Sequence, residues 1–229
     1  MTGRKSGTRG KGKPSRAERK EDVKRRIFLA AAKIVGRDGY ADASLARITA
    51  KAGVAQGTFY NHFASRQALL DQLLPAIGRS MLDFIRERVN GAATEQERET
   101  ARLRAFFDFL REVPEFPRIL NEAEFFAPAG YARHFAIIVA GYLRVLKRAR
   151  AEGTIADFPD EELEVLVHML LAARAYLGRR YAFVGNRVRE VPEHVFSAYE
   201  RILSQGIFGD RPAYTRSRAA IRQRVTDDS

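Results

Sequence analysis

One short stretch of this 229-residue chain gathers side chains able to recognise a partner through hydrogen bonds. The stretch GVAQGTFYNHFASRQALL covers residues 53–70, and its spacing predicts a helix whose inward face carries Phe59 and Phe63. The polar side chains left outward or flanking are those of Gln56, Thr58, Tyr60, Asn61 and His62. Gly57, in the first turn, weakens a helix by about 1 kcal/mol. Taken alone, it is better explained as a tolerated defect than as a place where a base or phosphate approaches the backbone.

The residue types that usually catalyse reactions or bind metals are too scattered to form a site. Cysteine is absent, which removes thiolate ligands, disulfides and cysteine nucleophiles. His134, His168 and His194 lack metal-ligand spacing, and Glu164 with His168 indicates a helix-stabilising contact. The motif GTRGKGKP at residues 7–14 resembles a phosphate-binding loop, but no apolar strand precedes it and proline replaces the required Ser or Thr. We therefore expect no enzymatic activity, no metal and no cofactor.

The net charge of +12 is concentrated at the start of the chain. Residues 1–26 hold eleven Lys and Arg against three acidic residues. Such a basic arm favours attraction to a polyanion, first nucleic acid and second an anionic membrane, with a solubilising tail as an equally good explanation. No segment approaches the roughly 20 apolar residues of a membrane span. We expect a cytoplasmic protein that does not enter membranes.

Hydrophobic periodicity predicts an all-α protein of about nine helices. Apolar residues recur every three or four positions after Asp22, so a first helix begins near that residue and ends near Gly39. A second, shorter helix lies between Ser44, a plausible N-cap, and Gly53, a C-terminal residue of the usual kind. Residues 1–20 contain almost nothing apolar and are expected to be disordered.

The later helices are predicted from caps and breakers. Ser65 caps a long fourth helix that Pro75 should bend or split. Thr94 and Glu97 form a capping box before a fifth helix. Further helices are predicted at about 116–126, 129–152, 160–183 and 192–207.

The two short helices joined at Gly53 have the proportions of a helix-turn-helix, whose second helix enters the major groove of DNA. The run SLARITAKAGVAQGTFYNHFASRQALL resembles the DNA-binding helices of the TetR family of transcriptional regulators, whose pattern is roughly T-x-x-x-I-A-x-x-A-G-V-S-x-G-T-x-Y-x-[HY]-F-x-[SN]-[KR]-x-x-L. The resemblance spans about residues 23–74, and the helical tract after it is similar in architecture to the family's effector domain.

This resemblance implies a domain organisation. It implies a three-helix DNA-binding domain at residues 21–67 and a helical ligand-binding and dimerisation domain at residues 68–208. A disordered basic arm at residues 1–20 and a disordered tail at residues 209–229 would flank them. The arm could reach into the adjacent minor groove and add salt-sensitive affinity.

The resemblance also implies which residues contact DNA. Gln56, Gly57 and Thr58 match positions at base edges, where Gln can pair with adenine and Thr can offer its hydroxyl or methyl group. The positions that meet bases or phosphates are matched by Tyr60, Asn61 and His62. Ser44 and Arg66, each at a helix start, match phosphate contacts.

Departures from the family pattern affect some of these roles. Ser44 stands where Thr is usual, Thr49 where Ala is usual, and Ala55 where Ser often caps the recognition helix. The last change removes a cap that contributes roughly 1 kcal/mol. Arg47 is a candidate base or phosphate contact, and a solvated arginine is an equal alternative.

Aromatic side chains crowd residues 103–142, where family members enclose a small-molecule cavity. The residues that we expect to line a pocket for a hydrophobic, aromatic or acyl effector are Phe106, Phe109, Phe125, Phe126, Tyr131, Phe135 and Tyr142. An ordinary Phe-rich core is the alternative explanation. Broad apolar faces on the last two predicted helices match the family's homodimeric four-helix bundle, which implies a roughly palindromic operator.

The sequence therefore predicts a ligand-responsive, homodimeric DNA-binding regulator, more often a repressor than an activator in this family. Its partners would be double-stranded operator DNA and a small effector. The alternative is a helical ligand-binding or enzymatic protein whose basic tail binds membranes or RNA.

Overall fold

The computed structural model describes residues 15–184 and 187–207, and helices account for most of them. The helices are α1 (Arg16–Asp38), α2 (Leu45–Ala52), α3 (Gln56–Tyr60), α4 (Arg66–Val89), α5 (Glu95–Glu112), α6 (Phe116–Phe126), α7 (Pro128–Ala151), α8 (Asp160–Leu177) and α9 (Glu193–Gln205). One turn of π-helix (Gly178–Ala182) follows α8 and leads into a short antiparallel hairpin of β1 (Phe183–Val184) and β2 (Arg187–Val188). The predicted all-α class with nine helices is confirmed for this part of the chain.

Helix α1 begins earlier than the apolar periodicity indicates. Ser15 caps it: the Ser15 hydroxyl accepts from the Glu18 amide (3.1 Å), and the Glu18 carboxylate accepts from the Ser15 amide (2.6 Å). Residues 16–20 are helical although we expected disorder, because the capping box at Ser15 stabilises the helix start without apolar burial. The rest of the predicted arm, residues 1–14, and the predicted tail, residues 209–229, lie outside the described residues.

The helix-turn-helix itself has the predicted turn. Gly53 adopts a left-handed conformation (φ 64°), and its amide and that of Val54 donate to carbonyls in the last turn of α2. Helix α3 is shorter than predicted and ends at Tyr60. Two residues weaken this helix: Ala55 cannot cap its start with a side-chain bond, and Gly57 is a poor helix former.

Helix α4 runs unbroken through Pro75, so the predicted split does not occur. The predicted caps at the starts of α4 and α5 are confirmed. The Ser65 hydroxyl accepts from the Ala68 amide (3.0 Å), and Thr94 and Glu97 form both bonds of a capping box. Helix α8 ends at Leu177, six residues before the predicted end, because the π turn replaces its last turn.

Two compact units divide the chain. The N-terminal unit comprises residues up to Arg79 together with residues 114–137, and the C-terminal unit comprises residues 80–113 and those from Ile138 onward. Helix α6 thus belongs with α1, α2 and α3. The predicted domain boundary near residue 67 stays a prediction.

Each unit has its own apolar core. In the N-terminal unit the large side chains that are fully buried include those of Ile27, Tyr40, Ile48, Phe59, Leu69, Leu70, Leu73, Leu74, Phe116 and Ile119. In the C-terminal unit the corresponding residues are Leu103, Leu163 and Val167, together with Leu110. Each such side chain contributes roughly 1.5–3 kcal/mol through removal from water. None of the described helices combines the length and hydropathy required to cross a membrane.

Candidate nucleic-acid interface

Helix α3 presents polar side chains outward from a buried aromatic anchor. Gln56, Gly57 and Asn61 are exposed, Tyr60 is 57% exposed, and Thr58 is half-buried. Phe59 of α3 and Phe63, which follows the end of α3, are both buried, and their ring centroids lie 5.5 Å apart. The anchor holds one face of α3 against the core and leaves the other face free for a partner.

Gly57 has no role in the packing of the chain itself. A Cβ atom added there would meet no other atom within 4 Å. Its backbone is not in the left-handed region. The fold of the chain therefore does not require a glycine here to make room for a Cβ atom, and the missing side chain leaves space on the outer surface of α3.

Ser44 acts as the N-cap of α2. Its hydroxyl accepts from the Arg47 amide (3.3 Å), as the sequence predicted. The residue is exposed, so the free amides of the first turn of α2 are open to an anion from outside.

Arg47 is neither a free nor a simply solvated arginine. Its guanidinium forms an ion pair with Asp38 and donates to the Asp42 carbonyl (3.0 Å). The pKa of Asp38 lies well below its usual value, chiefly because Arg37 donates to its carboxylate, with Arg47 adding a second bond. Arg47 thus connects the start of α2 to the end of α1.

Arg66 is equally occupied within the chain. Its Nε atom donates to the Ala43 carbonyl (2.7 Å) and its Nη2 atom donates to the Tyr40 carbonyl (2.5 Å). These bonds hold the start of α4 against the segment between α1 and α2. A phosphate contact by Arg66 would therefore use Nη1 or the amides at the start of α4.

His62 lies two residues after the end of α3, and its side chain is half-buried. Its Nδ1 atom is buried without a hydrogen-bond partner among the described residues. A contact with phosphate would therefore use Nε2.

Arg26 has a structural role that sequence reasoning missed. Its guanidinium donates to the carbonyl of Ala52 from Nε (3.1 Å) and Nη2 (2.6 Å), and to the carbonyl of Gly53 (3.0 Å). These carbonyls end α2, and a guanidinium is favourable at a helix C-terminus. The sequence analysis included Arg26 only in the positive charge of residues 1–26. Its place next to Ile27 in the sequence does not indicate a contact with the end of α2.

Helix α6 meets the end of α1 through several polar contacts in the N-terminal unit. Arg118 donates to the Arg37 carbonyl (2.6 Å) and to Glu122 (2.7 Å), and Glu122 accepts from the Tyr40 amide (3.0 Å). A Cβ on Gly36 would lie 2.4 Å from the Glu115 Cβ, so the backbones approach closely. Helix α6 therefore packs against the end of α1 and the residues that follow it.

The predicted effector residues divide between the two units. Phe106 and Phe109 are buried in the C-terminal unit, and the Tyr142 hydroxyl there lies 3.3 Å from a Glu99 carboxylate oxygen. In the N-terminal unit the rings of Tyr131 and Phe135 are 4.5 Å apart. That unit also holds Phe125, which is 80% exposed, and Phe126, whose ring stacks on Tyr40. A pocket lined by these residues stays a prediction.

A buried ionic cluster lies in the C-terminal unit. The Glu99 carboxylate accepts from Arg174 (2.5 Å) and from the Tyr199 hydroxyl (2.8 Å), and Arg102 donates to its other oxygen (3.2 Å). Burial raises the pKa of Tyr199 and of Tyr142 above the usual value. The cluster joins α5, α8 and α9. In the sequence, its only indication is that charged residues stand at positions where the helical periodicity predicts burial. No set of three or more His, Asp or Glu side chains able to hold a metal occurs in the described ranges.

The N-terminal part of the chain is similar to known regulatory proteins. Residues 27–73 match the family model described as bacterial regulatory proteins, tetR family. The HTH-type transcriptional regulator YvdT of Bacillus subtilis (strain 168) is 38% identical over 66 residues, covering 29% of this chain and 34% of that protein. The HTH-type transcriptional activator FasR of Mycolicibacterium smegmatis is 25% identical over 123 residues, covering 51% of this chain and 56% of that protein. The chain thus aligns with about a third and about half of the lengths of these relatives.

Solved structures share the fold over most of the chain. FadR from Bacillus subtilis, crystallised with stearoyl-CoA, superposes with a TM-score of 0.67 at 16% identity over 80% of this chain and 98% of that one. The TetR-family regulator PfmR from Thermus thermophilus superposes with a TM-score of 0.59 at 17% identity over 81% of this chain and all of that one. The resemblance inferred from the sequence is confirmed: residues 27–73 of this chain are a domain of the tetR family of bacterial regulatory proteins.

Proposed function

We propose that the chain is a ligand-responsive transcriptional regulator that binds a palindromic operator as a homodimer. The observation that carries this proposal is α3, whose exposed polar face is held on a buried aromatic anchor within a tetR-family domain. Such a face has the chemistry of a recognition helix.

Each outward residue of α3 has a role in this proposal. Gln56 and Thr58 read base edges in the major groove, and Gly57 lets a phosphate or base come close to the backbone. Tyr60, Asn61 and His62 donate to phosphates as α3 crosses the groove. The start of α2, capped by Ser44, receives a further phosphate.

The homodimer would form through the C-terminal unit. Large apolar side chains are exposed on α8 and α9: Val165 is 57%, Met169 65%, Tyr176 70% and Ile202 50% exposed. Val165, Met169 and Tyr176 are spaced four and seven residues apart, so they share one helix face. An exposed apolar stripe of this kind supports the pairing of these helices with those of a second copy.

Effector binding would release the operator, which makes the chain a repressor. The aromatic residues predicted for the pocket suit a hydrophobic effector, and FadR from Bacillus subtilis binds stearoyl-CoA in its crystal structure. The ligand must bind one arrangement of the two recognition helices more tightly than another. The bonds of Arg118 and Glu122 to the end of α1 offer α6 as the element whose shift changes that arrangement.

The experiment is selection of DNA from a genomic pool by the purified protein, followed by binding measurements on the selected site. The double variant Thr58→Ala, Tyr60→Ala should lose operator binding about a hundredfold or more while its circular dichroism and melting stay unchanged, because both side chains are at least partly exposed. Asn121→Ala, an exposed polar change on α6, is the matched control. A protein that selects no DNA, or a double variant that binds as well as the parent, would favour the ligand-binding or enzymatic alternative.

A further inference from the structure

A groove with a volume of about 550 Å³ lies in the N-terminal unit, and no residue of α3 lines it. Its walls come from α1 and α4, with one residue from the segment between α3 and α4 and one from α7. The volume falls in the range of small-molecule sites. None of the residues assigned above to DNA or to the effector lines it.

The floor of this groove is apolar. Five of its lining residues carry hydrocarbon or aromatic side chains: Phe28, Leu29, Phe63, Pro75 and Ala76. Leu29 is 48% exposed although it is large and apolar. Phe63 and Pro75 are already buried, so covering this floor would remove hydrocarbon from water chiefly at Leu29 and at the half-buried Phe28, which is favourable.

The rim is cationic. Lys24, Arg25, Arg79 and Arg133 line the groove against a single acid, Glu21. Within the described ranges, Lys24 and Arg79 have no hydrogen-bond or ion-pair partner. Arg25 forms an ion pair with Asp22 (2.7 Å), so the uncompensated positive charge comes chiefly from Lys24, Arg79 and Arg133. An anionic group bound among these cations would lower their mutual repulsion.

One of these cations is held in place by the proline of α4. Pro75 has no amide hydrogen, so the Asp71 carbonyl, four residues earlier, lacks its helical donor. The Arg133 guanidinium supplies that donor (2.8 Å). Arg133 therefore remains at the groove edge, with further N–H groups available to a ligand.

Lys24 and Arg25 each lie one helical turn before an apolar residue of α1. Lys24 precedes Phe28 by four residues and Arg25 precedes Leu29 by four, so each cation shares a helix face with an apolar side chain. On α4, Pro75 and Arg79 have the same separation. A ligand in the groove thus meets apolar and cationic groups about one helical turn apart on both walls.

We propose that this groove binds a single-chain amphipathic anion, a long-chain carboxylate, with the hydrocarbon on the floor and the carboxylate at the rim. A purely polar anion would leave the floor in water, and a neutral lipid would leave the cations unpaired. The proposal goes beyond the regulator function and does not depend on it, because the groove shares no residue with the predicted effector pocket.

The test uses the full chain and palmitate. Palmitate should bind at least about tenfold more tightly than its uncharged methyl ester, because only the acid pairs with the rim. A diazirine analogue of palmitate, after irradiation, should label peptides within residues 16–32 and 66–79. The variant Lys24→Gln, Arg79→Gln should weaken palmitate binding about tenfold.

The matched control is Lys33→Gln, Arg86→Gln, which removes one exposed cation from each of the same two helices outside the groove. It should bind palmitate as the parent does. Equal loss in both variants, equal affinity for acid and ester, or label confined to residues 103–126 would each overturn the proposal. Binding to phosphatidylglycerol vesicles without binding of monomeric palmitate would also overturn it in favour of a membrane surface. Operator selection is measured separately, so either proposal can fail alone.

Discussion

At the scale of single residues, two helical glycines with similar surroundings are expected to differ in their effect on DNA binding. Gly57 on α3 and Gly141 on α7 both lie in helices where a Cβ would meet nothing within 4 Å. Both therefore weaken their helices without a packing reason in the chain. Only Gly57 lies on the face proposed to approach DNA, so replacing each glycine separates helix stability from recognition.

Gly57→Ala should raise the free energy of unfolding by up to about 1 kcal/mol while operator binding falls at least about tenfold, because the methyl group occupies the space that DNA needs. Denaturant unfolding and a binding titration measure the two effects. Gly141→Ala should give a similar gain in stability with no loss of binding. Operator binding by Gly57→Ala at the parent's level would assign the glycine to a tolerated defect.

His134 makes the stability of the chain depend on pH. The side chain is buried, and burial lowers its pKa to about 4 from an ordinary 6.5. Between these values the unfolded chain binds a proton that the folded chain does not, so stability rises with pH. The contribution is complete above about pH 6.5 and is lost as pH falls towards 4, by an amount on the order of 3 kcal/mol.

Unfolding free energies measured from pH 7 to pH 4 would check this. His134→Gln should flatten the curve in this window, and the exposed His168→Gln should leave it as in the parent. A parent curve that His134→Gln does not change would assign the pH dependence to other groups.

At the scale of elements, α4 and α7 pack at an unusually short distance within the N-terminal unit. A Cβ on Gly130 would lie 2.4 Å from the Asp71 carbonyl oxygen. The Gly130 amide donates to the Asp71 carboxylate (3.1 Å), and Arg133 donates to the same residue's carbonyl (2.8 Å). Pro75 leaves that carbonyl without a helical donor, so one proline creates the acceptor that α7 uses.

Gly130→Ala should therefore destabilise the chain by about 1–3 kcal/mol, although alanine is the better helix former. The cause is a clash with backbone oxygen, which cannot rotate away as a flexible side chain can. Thermal and denaturant unfolding measure the change, and Gly141→Ala in the same helix is the control with open space. A gain in stability from Gly130→Ala would show that the two helices separate at little cost.

At the scale of the whole molecule, the exposed apolar stripe on α8 and α9 bears on assembly. Met169→Glu places a charge in the middle of the proposed contact, so sedimentation should give a dimer for the parent and a monomer for the variant at micromolar concentration. Affinity for a palindromic operator should fall with it. Leu29→Glu, an apolar-to-acid change at a 48% exposed residue of α1, should leave the dimer intact. A monomeric parent would contradict the homodimer.

The sequence by itself determined the features that depend on near neighbours. The caps at Ser44, Ser65 and Thr94, the left-handed turn at Gly53, and the helical periodicity involve residues within about four positions of each other. The tetR-family pattern in residues 27–73 is longer, but it is also read directly along the chain. These signals predicted the fold class and the candidate recognition surface.

Only the tertiary structure decided which charged side chains form hydrogen bonds or ion pairs with distant parts of the chain. Arg26 bonds across 26 residues, Arg66 across 23 and 26, and Arg174 reaches Glu99 across 75. Whether a guanidinium is solvated, caps a helix or pairs in a core depends on which backbone carbonyls and carboxylates packing brings within hydrogen-bond distance of it. That distance depends on the packing of all the elements together, so no periodicity or spacing along the chain contains it.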